Sequence, residues 1–420
     1  MKKATKVAAV RGTRDVWPKE LALQQHIVSI MLSTCSRYGF APIQTPLLES
    51  TDLFTRSLGT TSDIVSKEMY TFPDNSNNSL TLRPEGTAGV IRSMLSNGLQ
   101  FAGPHKVSYS GSMFRYERPQ RGRYREFQQF GVEYIGSNGP HVDTQVLALA
   151  ADVMRNLGLE LSLHINTLGC IESRQLYREK LTQFLEPIKL DLSRDSQERF
   201  ERGSVLRILD SKDARDRELL QEAPRLMDSL TDSSRSRFDV VMNGLAALGI
   251  EATLDHRLVR GLDYYSHTVF EFLDAKSGLA CLAGGCYDHL VESLGGPAMS
   301  CIGWAAGVER LALLCPLSPP PLTQLGMVRV GETCAFPAMQ IAATLRQAGL
   351  IVHWIDYPQL KKQMKLADQF ECNFAVLVGE DELKQGVVTV KNLAERTQES
   401  VAIADLVAYF DDVTRSSMQD

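Results

Sequence analysis

Two short stretches decide the fold: Arg260-Gly261-Leu262-Asp263-Tyr264-Tyr265 and, about twenty positions later, Ala283-Gly284-Gly285-Cys286-Tyr287-Asp288. The first joins an arginine, which is a permanent cation, to two tyrosines. The arginine offers a forked donor for a phosphate or carboxylate, and the tyrosines offer flat walls for a small polar ring. The second carries paired glycines, which let a backbone approach a ligand closely. An exposed arginine beside a strand with core aromatics is the plainer interpretation. The order and combination of the two stretches favour a binding site.

Together the two stretches resemble the signature peptides of the histidyl-tRNA synthetase family. The resemblance covers nearly the whole chain. It implies an α+β catalytic domain on an antiparallel sheet of the class II synthetase kind, with a helical insertion, and a C-terminal α/β anticodon-binding domain. One position departs from the family, because Cys286 stands where arginine is usual. We expect this position to support the pocket from behind, with any ionic role of the arginine absent or supplied by another group, and Cys286→Arg to be tolerated.

Composition fits a soluble globular protein of two or three domains, with 420 residues, 44% hydrophobic and 23% charged. No apolar run is long enough to span a bilayer, and the N-terminus does not resemble a signal peptide. Eight scattered cysteines without a CxxC pair predict reduced thiols in the cytoplasm and no zinc site. The formal net charge is −5, so an RNA partner must be met by local basic patches.

A proline-rich segment predicts the domain boundary. Four prolines in the six residues 316–321 form a stiff linker. We therefore predict a catalytic domain over 1–320, with a mainly helical insertion at about 171–250, and an anticodon-binding domain over 326–420. Near the N-terminus, a helix ending at about Arg37 and a strand over Ile43–Leu48 resemble the first class II motif. That motif builds the dimer interface in the family, so a homodimer is expected.

The segment Phe114–Phe127 carries five arginines in eleven positions, which calls for an anion such as ATP or RNA phosphate. A solvated basic hairpin is the alternative. The segment resembles class II motif 2, which implies that Arg115 grips the ATP α-phosphate, that Glu117 faces the adenine and that Arg123 belongs to the ATP site. Gly303–Leu311 resembles motif 3, whose arginine, here Arg310, holds the γ-phosphate. By itself this last pattern is better explained as a packed strand–helix joint.

The amino-acid pocket is predicted from polar residues in several peptides. Leu82–Thr87 offers a carboxylate and a hydroxyl on a tight turn, although a helix cap explains them equally well. Gln129 and Glu133 lie four residues apart, on the same face of a strand. Neutral imidazole has one donor and one acceptor nitrogen, which Glu133 and Tyr264 can satisfy. The resemblance implies a histidine site formed by Glu85, Gly86, Thr87, Gln129, Glu133, Tyr264, Tyr265 and Tyr287.

The implied activity is that of a histidine–tRNA ligase, which joins histidine to ATP with Mg²⁺ and then passes the histidyl group to its tRNA. The substrate carboxylate needs orientation and charge neutralisation, for which Arg260 and Arg115 are the expected catalytic residues. A non-catalytic paralogue associated with ATP phosphoribosyltransferase and a plain nucleic-acid-binding module remain alternatives. From Gly326 onward there are nine Lys+Arg and thirteen Asp+Glu. RNA contact there is therefore expected at Lys361, Lys362 and Lys365.

Overall fold

The computed structural model describes residues 7–59, 62–136, 139–260, 264–320 and 322–416, with residues 415 and 416 described by backbone only. Gly261, Leu262 and Asp263 of the first signature stretch, and Pro321 of the linker, lie outside the described residues. The chain divides into two compact units, Met1–Ser318 and Pro319–Asp420. In the described part, no helix is both long enough and apolar enough to cross a bilayer.

An eight-stranded sheet forms the centre of the first unit. The strands of this unit are β1 (Ala41–Pro42), β2 (Leu48–Ser50), β3 (Tyr70–Pro73), β4 (Ser79–Leu82), β5 (His105–Phe114), β6 (Glu126–Ile135), β7 (Ser162–Thr167), β8 (Ala252–Leu254), β9 (Ser266–Leu273), β10 (Ala280–Cys286) and β11 (Cys301–Gly307). The order in the large sheet is β1-β5-β6-β11-β10-β9-β7-β8, while β2, β4 and β3 form a small separate sheet. Only the outer pairs β1/β5 and β7/β8 are parallel, so the predicted antiparallel sheet is confirmed.

The helices of the first unit lie around this sheet. They are α1 (Pro18–Arg37), α2 (Thr51–Leu58), α3 (Thr87–Ser96), α4 (Pro140–Asn156), α5 (Ile171–Leu185), α6 (Arg194–Glu201), α7 (Ala214–Leu219), α8 (Asp232–Ala247), α9 (Leu290–Ser293) and α10 (Val308–Leu314). Proline at the first position suits the start of α1, and Gly39 with φ of 78° suits the chain reversal after it. The segment 171–247 contains α5 to α8 and short 3₁₀ turns.

The predicted strand Ile43–Leu48 is wrong. Only Ala41–Pro42 and Leu48–Ser50 pair as strands, and the residues between them do not. Proline cannot donate to a ladder, which disfavours pairing around Pro46. The Arg83 guanidinium instead donates to the carbonyl oxygen and the hydroxyl of Thr45, both at 3.0 Å. A buried side chain thus takes the place of a neighbouring strand.

Alternation along the central strands separates the core from the site. Phe130 and Val132 of β6 are fully buried in a cluster that also contains Ile27 of α1, Leu147 of α4 and Phe238 of α8. Gln129, Gly131 and Glu133 must then face the opposite side of the sheet, because successive residues of a strand alternate. Helices α1, α4 and α8 therefore cover one face, while Gln129 and Glu133 face the other, where the first turn of α3 contacts Glu133.

The second unit has a five-stranded sheet and a hydrophobic core of its own. Its strands are β12 (Gln324–Arg329), β13 (Ile351–Trp354), β14 (Phe374–Val378), β15 (Val387–Asn392) and β16 (Gln398–Ala402), in the order β13-β12-β14-β15-β16. The first three strands are parallel and the last two pairings antiparallel. Its helices are α11 (Ala335–Gln347), α12 (Leu360–Gln369), α13 (Glu380–Lys384) and α14 (Leu406–Ser416). This agrees with the predicted α/β class.

Candidate active site

The centre of the large sheet is almost bare of side chains on the face away from the helical core. One row of directly opposed residues crosses β5, β6, β11, β10 and β9, and consists of Tyr109, Gly131, Ala305, Ala283 and Glu271. The next row on the same face contains Glu133, Gly303 and Gly285. Glycine and alanine in three adjacent strands leave a hollow, which the larger residues at both ends of the rows enclose.

Glu133 lies on the floor of this hollow and is 1% exposed. Its carboxylate accepts hydrogen bonds from the hydroxyls of Thr87 at 2.7 Å and Tyr109 at 3.3 Å, and from the hydroxyl of Tyr287. A Cβ at Gly303 would overlap this carboxylate. Burial raises the pKa of Glu133 to about 8, although the three hydroxyls oppose the shift. The Glu133 carboxyl group therefore titrates near neutral pH.

Glu85 lies two residues before the start of α3. Its two carboxylate oxygens accept from the backbone N–H of Thr87 at 2.7 Å and of Ala88 at 2.9 Å, so it caps the helix. The capping alternative therefore describes the geometry, with Glu85 rather than Thr87 as the cap. Burial raises the pKa of Glu85, while these N–H groups and Arg115 act against the rise. A ligand role for Glu85 stays a prediction.

Three buried tyrosines from the two signature stretches form one wall. Tyr264 lies with its ring centre 4.6 Å from that of Tyr265 and meets Tyr287 edge-on at 5.7 Å. Burial raises the pKa of Tyr264 well above its usual value, and Tyr265, Glu85 and Glu133 add to the rise. Tyr264 thus faces the same space as both carboxylates.

Gln129 presents an unsatisfied acceptor. Its side chain is 8% exposed, and its amide oxygen has no hydrogen-bond partner among the described residues. A buried acceptor without a partner costs roughly 1–3 kcal/mol, so a ligand that donates to it recovers that cost. The unpaired oxygen is thus an observation, independent of the sequence pattern, in favour of a ligand contact by Gln129 on the site face of β6.

Arginines crowd together where the β5–β6 hairpin meets α10. Arg115 donates from Nε to the carbonyl of Pro84 at 2.8 Å, and Arg123 pairs with Glu117 at 3.2 Å. Arg310 donates to the carbonyls of Gly122 at 3.2 Å and Ala280 at 2.8 Å. Burial lowers the pKa of Arg310, and the positive charges of Arg123 and Arg115 lower it further. Glu117 also lies 3.8 Å from Arg115 and so offsets part of this positive charge, and the remainder suits the binding of a phosphate.

Arg260 lies beside the tyrosine wall. It pairs with Glu271 of β9, and its guanidinium carbon lies 5.5 Å from the Tyr265 ring centre. Its Nε is buried and has no partner among the described residues. Arg260 is therefore held by one carboxylate and a ring, and keeps a donor free for a ligand.

Two functional candidates escaped the sequence reasoning. Tyr109 packs over Gly86 and Gly131, where a Cβ at either glycine would overlap its ring, and it donates to Glu133. The sequence signal that could have identified Tyr109 is a tyrosine in β5, the strand before the hairpin, directly opposite Gly131. Glu309 accepts from the backbone N–H of Gln128 at 2.9 and 3.1 Å and so ties α10 to β6. Its place beside Arg310 was the only hint.

The described residues contain no group of three or more His, Cys, Asp or Glu side chains that could hold a metal ion.

An antiparallel sheet with an arginine-rich hairpin, and with Arg310 in the helix that follows the central strand β11, defines the protein as a class II aminoacyl-tRNA synthetase. Residues 12–311 match the family model of histidyl-tRNA synthetase, and residues 327–412 match that of an anticodon binding domain. The chain belongs to the histidyl-tRNA synthetase family.

Individual relatives agree with this assignment. The chain is 44% identical over 400 residues to the histidine–tRNA ligase of Gluconobacter oxydans, covering 94% of this chain and 96% of the relative. It is 46% identical over 409 residues to that of Thermosynechococcus vestitus, covering 95% of each. Its structure is similar to apo histidyl-tRNA synthetase of S. aureus, with a TM-score of 0.79 and 34% identity, over 96% of this chain and 100% of the other.

Proposed function

We propose that this protein is a histidine–tRNA ligase, which activates histidine with ATP and transfers it to the 3′ end of its tRNA. The observation that carries the proposal is the placement of Glu133. It lies on a glycine and alanine floor, held by three hydroxyls, with a partly buried arginine cluster at the hairpin. Relatives that carry this activity in their names match nearly the whole chain.

Recognition of histidine rests on a donor–acceptor match. The ring N–H donates to Glu133, and the Tyr264 hydroxyl donates to the other ring nitrogen. An N–H donor favours the ionised carboxylate, so bound histidine lowers the raised pKa of Glu133. An apolar amino acid of similar size would leave both groups unpaired, at roughly 1–3 kcal/mol each. Thr87 with Glu85, and Gln129, serve the amino-acid backbone end, while Gly86, Tyr265 and Tyr287 shape the walls.

Activation requires charge neutralisation more than proton transfer. The histidine carboxylate is already ionised and attacks the α-phosphorus, and pyrophosphate leaves with the electron pair of the broken P–O bond. Arg115 and Arg260 would stabilise the charge that grows on the α-phosphate. Arg123 and Arg310 bind the outer phosphates, and Glu117 holds the hairpin and faces the adenine. Mg²⁺ accompanies ATP as its counter-ion.

The second unit is proposed to read the tRNA. Its basic patch is formed by Lys361, Lys362 and Lys365 on α12, all exposed in a unit that is otherwise acidic. Lys362 donates to the Tyr357 hydroxyl at 3.2 Å, so a half-exposed ring lies beside the charges. Aromatic rings and cations together suit single-stranded RNA bases.

A homodimer in the cytoplasm is also proposed. Trp17, immediately before α1, is 77% exposed, and Leu21 on α1 is 41% exposed. Leu21 also lines a cavity of about 550 Å³ together with Val28, Leu32 and Phe127. Apolar residues exposed along one helix favour burial against a partner, and the resemblance to the first class II motif indicates that the partner is a second copy.

The regulatory paralogue is the weaker alternative. A chain without catalysis has no need to keep the arginine–tyrosine stretch, the arginine cluster and an anticodon-type unit together. Histidine-dependent exchange of labelled pyrophosphate into ATP tests the choice. The ligase exchanges with histidine and not with other amino acids, whereas absent exchange in a folded, histidine-supplied protein would favour the paralogue.

A further inference from the structure

Neighbouring residues of the second signature stretch lie on opposite faces of the large sheet. Tyr287 donates to Glu133 on the site face. Cys286, one residue earlier, is 1% exposed and packs in the helical core behind the sheet. A residue behind the sheet at this point is therefore one peptide away from a wall of the histidine pocket.

A charged group from the helical segment meets Cys286 there. Arg237 of α8 extends one guanidinium nitrogen to both oxygens of Asp143 at 3.1 Å and to the Cys286 sulfur at 3.8 Å. Thr268 of β9 donates to the same carboxylate at 2.9 Å. Four elements, α4, α8, β9 and β10, thus meet at one buried carboxylate.

The charges identify Arg237 as the group on which the cluster depends. The Asp143 side chain is 2% exposed and that of Arg237 is 17% exposed. Burial raises the pKa of Cys286 well above its usual range, so the thiol stays neutral. Burial, with the positive charge of Arg237, lowers the pKa of His267 to about 4, so that imidazole is neutral too. Arg237 therefore supplies the cation for Asp143, with Asp288 as a second nearby anion.

We propose that Arg237 is a positioning residue for histidine activation, which supplies from α8 the cation of the buried cluster behind β10. The proposal rests on the proposed function. By holding Asp143 against Cys286 and Thr268, Arg237 fixes the β9–β10 backbone that carries Tyr287 to Glu133. An ionic group beside Cys286 was expected to be absent or supplied by another residue, and Arg237 supplies it.

This arrangement changes one sequence-based expectation. Cys286→Arg was expected to be tolerated, but the space beside the sulfur is already filled by Arg237. A second guanidinium in the parent protein would place two like charges on one buried carboxylate, which is unfavourable. In a chain that lacks Arg237, the same substitution restores the missing cation. Cys286→Arg should therefore impair activation when residue 237 is arginine and improve it when residue 237 is methionine.

The experiment compares Arg237→Met, Cys286→Arg and the double variant in histidine-dependent pyrophosphate exchange, with KM measured separately for histidine and ATP. Arg237→Met should raise the histidine KM by roughly 10- to 10²-fold, since a shift of about 1 Å at a pocket costs about that much. The ATP KM should change less than about twofold. Cys286→Arg should impair the parent and recover most of the loss in the Arg237→Met background.

Two controls separate the outcomes. Arg235→Met, on the exposed side of the same helix, should leave both KM values unchanged. If Arg237→Met does not fold, the neutral pair Arg237→Met with Asp143→Asn removes the cation without an unpaired carboxylate. It should still raise the histidine KM. Equal effects of Cys286→Arg in both backgrounds would overturn the proposal. Failure of the parent to exchange with histidine would instead overturn the proposed function.

Discussion

The Thr87 hydroxyl lies 2.7 Å from a carboxylate oxygen of Glu133, a contact that joins the first turn of α3 to the centre of the large sheet. Glu85 caps the same turn, so one carboxylate fixes the helix start and the helix start helps to fix the other carboxylate. Both acids are buried, and each raises the pKa of Tyr264. The pocket is thus a linked polar network. Substitutions of its members should differ in which ligand they weaken, histidine or ATP, and should leave the fold intact.

Glu133→Gln should weaken histidine binding by about 1–3 kcal/mol and leave ATP binding almost unchanged. The amide cannot accept on both sides, so it loses either a hydroxyl donor or the imidazole donor. Titration of each ligand separately against variant and parent measures the difference. Glu126→Gln, on the exposed end of the same strand, is the matched control. An equal loss for both ligands would make Glu133 a structural residue.

The unliganded protein should lose stability as pH rises through neutrality, because of Glu133. Its folded pKa of about 8 lies above the usual 4.5, so between these values the folded chain holds a proton that the unfolded chain has released. Stability contributed by this group is full below about 4.5 and declines toward 8. Glu133→Gln cannot titrate. The unfolding free energies of parent and variant are therefore measured with urea from pH 5 to 8. The parent value minus the variant value should fall as the pH rises, and an increase would contradict the burial argument.

Arg260→Ala should reduce adenylate formation by about 10²–10³-fold with the fold intact, since a preorganised donor to the α-phosphate is lost. Arg260 already pairs with Glu271, so the variant also frees that carboxylate. Arg260→Ala with Glu271→Gln removes this added repulsion and should remain as slow. Arg118→Ala, an exposed arginine of the hairpin, is the control. Unchanged pyrophosphate exchange in Arg260→Ala would reject its catalytic role.

Short motifs allowed the sequence to predict the sheet and to propose residues for the pocket, but not the groups that contact those residues from other elements. Gln129 and Glu133 share a face because strand periodicity is local. Tyr109 contacts Glu133 only through the register of β5 with β6, and Arg237 reaches Cys286 across 49 positions. Such pairings depend on tertiary packing, which no spacing rule contains. The strand predicted over Ile43–Leu48 failed for the same reason, since the buried Arg83 satisfies that backbone.

Tyr109→Phe should raise the histidine KM by a few fold, about 0.5–1.5 kcal/mol, while the ATP KM stays constant. The ring remains between Gly86 and Gly131, so only the hydrogen bond to Glu133 is removed. Tyr116→Phe, at a residue that is 53% exposed, is the matched control. A change in ATP KM equal to that in histidine KM would show that Tyr109 acts by packing alone.

Truncation after Ser318 should spare amino-acid activation and impair tRNA charging. The two units divide there, each has its own hydrophobic cluster, and every strand of the second unit begins later, from Gln324. Loss of the tRNA contacts of the second unit should lower charging about tenfold for each 1.4 kcal/mol of binding they supply. Pyrophosphate exchange and charging are measured on the same preparation. Sedimentation is measured alongside, because a weakened dimer could mimic the defect. Full charging by the truncated protein in the parent's oligomeric state would remove the RNA-reading role from the second unit, whereas loss of both activities would mean that the first unit does not work alone.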